Sequence, residues 1–138
     1  MNTASKRALR VAVHVPVAPA TLAALLGGHR GALEDDPVMA KMLAILRAPG
    51  ALGDFGMYHG VGEIGLGWET FAPAPDAKPT LGAAGQIEHS PTVTLVSWIP
   101  AEAPAEAIDA ALAALMEAHP WEVPVIEVRS EEHTSELQ

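Results

Sequence analysis

Cysteine is absent, which removes disulfides, thiolate nucleophiles and zinc–sulfur centres from consideration. Basic residues are few: 8 Lys and Arg stand against 17 Asp and Glu, for a formal charge of −9. That balance repels nucleic-acid phosphates unless a local patch overrides it, and the one basic cluster, Lys6, Arg7 and Arg10, is too small to do so. No nucleic-acid partner is expected. No apolar run approaches the eighteen or so residues that span a bilayer, so no membrane partner is expected either. The mildly basic first sixteen residues run straight into a strand pattern without a signal-cleavage region, and the expected location is cytoplasmic.

What remains is a chain of 138 residues, 49% of them apolar, which suits one folded domain. Twelve glycines and twelve prolines call for long, turn-rich connections. Residues 10–17 alternate strictly, with Val11, Val13, Val15 and Val17 on one face and Arg10, Ala12, His14 and Pro16 on the other; that is a strand with one buried face. Pro19 opens a short helix with Leu22, Leu25 and Leu26, which Gly27 and Gly28 end. Asp36 as N-cap and Pro37 as the first helical residue start a second helix, whose buried side is Val38, Met39, Met42, Leu43, Ile45 and Leu46. Glycines are too dense over 50–85 for helix, and that region reads as irregular strands with bends. Residues 92–99 form a strand, Pro104 opens a helix carrying Ile108, Leu112 and Leu115, Pro120 ends it, and 121–128 is the last strand.

The predicted architecture is α+β, a ferredoxin-like split βαβ domain over residues 1–128. It has a four-stranded antiparallel sheet with helices on one face and an extra strand or hairpin in the 50–85 region. Residues 129–138, RSEEHTSELQ, are polar, lack periodicity and correspond to the translation of a common sequencing-library adapter. They are read as a non-native tail.

No catalytic residue is assigned. Ser90 and Ser97 lack a base and an orienting group, and the adjacent carboxylates Asp35 and Asp36 point different ways, which suits capping and not acid–base work. The run from Gly60 to Gly67 has neither GK[ST] nor a following helix to cradle an anion. His14, opposite four valines, reads as a surface, sheet-stacked or interface histidine. His29 and His89 read as turn residues. His119 stands where a helix stops and a strand begins, and there its imidazole can satisfy the last carbonyls while Glu122 pairs with it. A metal reading uses His119 with Glu122 or His59 with Glu63, whose imidazole and carboxylate donors suit a divalent transition metal.

Four ordered blocks carry a resemblance: 50–58 (GALGDFGMY), 67–73 (GWETFAP), 78–85 (KPTLGAAG) and 119–124 (HPWEVP). Together they resemble the small inserted domain of the dinuclear-metal-centre hexameric, NGG1-interacting-factor-like family, once described as type 2 GTP cyclohydrolases. The last block also resembles the ending of the divalent-cation-tolerance (CutA) family, which is similar to PII signalling proteins. The resemblance implies a ferredoxin-like fold and a homo-oligomer, a trimer before a dimer. It also implies that His119, Pro120, Trp121, Glu122 and Pro124 form a junction near subunit contacts, with Tyr58, Phe71 and Pro73 shaping the adjoining sheet. This chain departs from the pattern in the longer interval before Gly50, in the absence of the flanking domains that hold the family's metals, and at Glu69, where the family shows a second glycine. No hydrolase activity carries over. The leading expectation is therefore a non-enzymatic, oligomeric PII/CutA-like module with a regulatory or small-ligand-sensing role and a small-molecule or protein partner. The alternatives are a divalent-metal-binding protein and, third, a hydrolase of a small phosphorylated or nucleotide-like substrate.

Overall fold

The computed structural model describes residues 4–120 and 124–135. Its elements run β1 (Ala4–Pro16), α1 (Pro19–Leu26), α2 (Ala32–Asp35), α3 (Pro37–Arg47), β2 (Gly62–Phe71), β3 (Glu88–Pro100), α4 (Ala105–Ala118) and β4 (Ile126–Ser135). The strands form one sheet in the order β2-β3-β1-β4, and every neighbouring pair is antiparallel. β1 and β2 thus flank β3, and β3 and β4 flank β1, which is the interleaved pair of split βαβ units that the sequence predicts.

The alternation of β1 decides which face is covered. Val11, Val13 and Val15 join Val93, Leu95 and Ile99 of β3 beneath Leu22, Met39, Met42, Leu43, Leu46 and Leu115 of the helices. Each such side chain taken fully out of water contributes about 1.5–3 kcal/mol, so stability concentrates on β1, β3 and α3. β2 has no buried side chain anywhere along its length. Its backbone ladder to β3 holds it.

The helix starts follow local chemistry. Pro19 occupies the first turn of α1, and Gly27 caps its end. Asp36 caps α3, accepting from the Val38 and Met39 amides at 3.0 and 3.1 Å. Its second oxygen accepts from the Ala18 amide at 3.2 Å and the Thr21 hydroxyl at 2.9 Å. One buried carboxylate therefore fixes where α1 begins against where α3 begins.

Three expectations change. The 50–85 region supplies β2 alone, the fourth strand of the sheet, and no extra strand or hairpin among the described residues. Residues 72–87 carry three prolines and two glycines at positive φ, which break a second ladder. The last strand, expected over 121–128, begins at Ile126 and runs through Ser135, because Pro124 lacks the amide that a ladder requires. Residues 129–135 of the segment read as a tail therefore pair with Ala4–Arg10 of β1. The short α2 in the Gly27 to Pro37 bend was not foreseen.

Candidate functional site: the open face of the sheet

Helices leave the other face of the sheet uncovered, and the chain treats its two ends differently. At one end Ala8, Ala12, Val96 and Trp98 form a small second cluster beneath Phe55 and Val61, with the Phe55 and Trp98 rings 6.0 Å apart and tilted by 41°. The segment between α3 and β2 is held there by three bonds. The Gly53 amide donates to the Trp98 carbonyl at 2.7 Å, the Val61 amide to the Gly53 carbonyl at 3.0 Å, and the Ser97 hydroxyl to the Val61 carbonyl at 2.7 Å. Gly53 must be glycine: its φ is +72°, and a Cβ would lie 2.8 Å from Leu46 and 2.9 Å from the Val61 nitrogen.

At the other end the face is bare. A groove of about 480 Å³ is lined there by His14, Gly65, Gly67, Glu69, Thr92 and Thr94, among others. Register explains its depth. Gly65 and His14 both lie opposite Thr94, and Gly67 lies opposite Thr92, so two positions on the edge strand contribute no side chain where the groove runs. Glu69 leans back over that space and places Oε1 3.6 Å from His14 Nδ1. The Thr94 hydroxyl lies 3.4 Å from the same nitrogen. From β4, Glu127 Oε2 comes within 3.9 Å of His14 Nε2. The imidazole thus stands between carboxylates from the two outer strands.

The residues singled out from sequence are dispersed. His119, at the C-cap of α4, is buried, and its Nε2 donates to the His14 carbonyl oxygen at 2.6 Å; it ties the end of α4 to the last residues of β1. Trp121 and Glu122 lie outside the described residues. His59 is exposed and sits 3.2 Å from Asp54 Oδ1, so the carboxylate beside it is Asp54, while Glu63 stands on β2 opposite Val96. Tyr58 is exposed, with its carbonyl accepting from the Phe55 amide. Phe71 ends β2, and the Pro73 carbonyl accepts from the Gly85 amide at 2.7 Å, closing the loop between β2 and β3. Pro120 is exposed beside a second hollow formed with Pro16, Pro19 and Pro91, and Pro124 precedes β4. Among the described residues no three His, Cys, Asp or Glu side chains converge on one point suited to a metal ion, and no helix is long and apolar enough to cross a membrane.

Sequence reasoning missed Glu69 and Glu127 as neighbours of His14. Strand alternation put His14 on the open face, but only the strand order brings it to residues 55 and 113 positions away. One signal was present: Glu69 stands where the resembled family has glycine.

No family model matches the chain, and no curated protein matches it. Among solved structures, a Bacillus cereus protein related to NIF3 superposes with a TM-score of 0.58 at 22% identity over 95% of this chain. This chain spans 29% of that protein's length, and what the two share is the fold: a four-stranded antiparallel sheet backed by helices on one face.

Proposed function

We propose that the protein is a self-associating, ligand-binding module of the PII/CutA kind, acting by assembly and recognition and not by catalysis. One observation carries the reading. Edge strand β2 presents Ile64, Leu66 and Trp68 on its helix-side face, exposed by 39, 42 and 60%, at the margin of the sheet, where among the described strands it ladders with β3 alone. An edge strand with an apolar stripe invites pairing with another chain, and a second copy of the same domain is the cover that the resemblance to trimeric families supports. The open-face groove then supplies the ligand-binding half of the reading. A concentration series by light scattering tests assembly: mass rising above the 14.4 kDa of one chain is expected, and a monomer throughout overturns it.

The second reading, divalent-metal binding, would fall to His59, whose Nδ1 lies 3.2 Å from Asp54 Oδ1, or to His119, whose expected partner Glu122 lies outside the described residues. Nothing in the geometry favours the third, a hydrolase of a phosphorylated or nucleotide-like substrate.

A further inference from the structure

The hollow beside Pro120 lies where β1 stops and β3 starts, and it shares no lining residue with the open-face groove. Its volume is about 420 Å³, within the range of small-molecule sites, about 300–1,000 Å³. Pro16, Pro19, Pro91 and Pro120 form much of the wall, and a proline brings neither a polar side-chain atom nor a backbone N–H. The wall is preformed. The Val17 amide donates to the Pro91 carbonyl at 3.0 Å, which ties the end of β1 to the start of β3. Ala18 and Val38 both line the hollow, and both their amides donate to the Asp36 carboxylate, at 3.2 and 3.0 Å. The carboxylate that sets α1 against α3 therefore also sets two walls of this space.

One polar group on the lining lacks a good partner. Ser90 is 2% exposed, and among the described residues its hydroxyl reaches the Pro91 carbonyl alone, at 3.5 Å, beyond the 2.5–3.0 Å of a well-formed O–H···O bond. That carbonyl is already taken by the Val17 amide. A buried hydroxyl in this position is satisfied best by a group that enters the hollow. Charge narrows the class of ligand. Glu88 places a carboxylate on the lining and the chain carries −9, which disfavours an anion. A charged ligand of either sign would also shed water against proline and valine side chains that offer nothing in return. The C–H groups of proline rings, made slightly positive by the adjacent nitrogen, suit the negative face of an aromatic ring.

We propose that this hollow binds an uncharged aromatic molecule of one or two rings that carries one hydroxyl or carbonyl, with Ser90 as its hydrogen-bond partner and the proline rings packed on its faces. The inference goes beyond the reading above and needs neither assembly nor the open-face groove.

The test titrates the full, isotopically labelled chain with 2-naphthol and follows backbone amides by proton–nitrogen NMR. The amides of Val17, Ala18, Val38 and Ser90 should shift, with one molecule bound per chain and a Kd below about 1 mM. Decahydro-2-naphthol, which keeps the hydroxyl and loses the aromatic face, should bind more weakly, as should the anion 2-naphthoate. Ser90→Ala should weaken 2-naphthol about three- to tenfold, the loss of one hydrogen bond, and leave the affinity for naphthalene, which has no hydroxyl, unchanged. Glu88→Gln should narrow the gap between 2-naphthol and 2-naphthoate. Absence of binding with a Kd below about 1 mM, shifts confined to the exposed Ile64, Leu66 and Trp68 of β2, or affinity for 2-naphthol unchanged by Ser90→Ala overturns the proposal. Should Ser90→Ala fail to fold, the unaltered chain decides: equal affinity for 2-naphthol and its saturated analogue is equally fatal.

Discussion

Replacing Asp36 by alanine should destabilise the protein far more than the same change at its neighbour Asp35. Asp36 is 4% exposed and accepts four hydrogen bonds, two from the first turn of α3 and two from the start of α1. Loss of an N-cap aspartate costs about 0.5–2 kcal/mol. The Ala18 amide and Thr21 hydroxyl also lose an ionised acceptor in a partly buried place, which adds about 1–3 kcal/mol. The sum is roughly 1.5–5 kcal/mol, equivalent to about 5–20 °C in Tm for a domain of this size. Asp36→Asn should fall between, because its amide oxygen keeps the cap and loses the charge. Asp35, exposed in the short α2, should change stability by no more than about 0.5 kcal/mol. Urea unfolding with unchanged m-values separates the three variants. Equal effects at Asp35 and Asp36, or a loss at Asp36 below about 0.5 kcal/mol, would show that the carboxylate does not organise the two helices.

Two further outcomes follow from the same geometry. His119→Ala should cost about 1–3 kcal/mol by chemical denaturation, since the His14 carbonyl loses its 2.6 Å donor and the junction between α4 and β1 loses its plug; His119→Gln, which can still donate, should recover part of it. Gly53→Ala should cost about 2 kcal/mol or more, because positive φ alone costs about 1–2 kcal/mol and the added Cβ meets the Val61 backbone; an effect within experimental error would mean that the 50–61 segment does not lie over β3 as described.

Legibility in the sequence tracked how local the cause was. The valines of β1 report their own burial by alternation, and Asp36-Pro37 writes the start of α3 within two residues, with its capping bonds reaching only to Val38 and Met39. β2 was harder. Ile64, Leu66 and Trp68 do alternate with Glu63, Gly65, Gly67 and Glu69, but an edge strand buries nothing, and its extent is set by pairing with β3 some 17 to 35 residues away. The end of the sheet was misread at Pro124, where a hydrophobic run begins before a ladder can. The open-face site is the least local feature of all: His14, Thr94, Glu69 and Glu127 sit on four strands and meet only because the order is β2-β3-β1-β4.

The central claim is that edge strand β2 is covered by a second copy of the chain, and amide hydrogen exchange read at low and high protein concentration tests it most directly. Exchange in residues 62–71 should slow as concentration rises while the already buried β3 amides stay constant. Exchange rates in β2 that do not depend on concentration, in a sample whose mass remains that of one chain, would contradict the account.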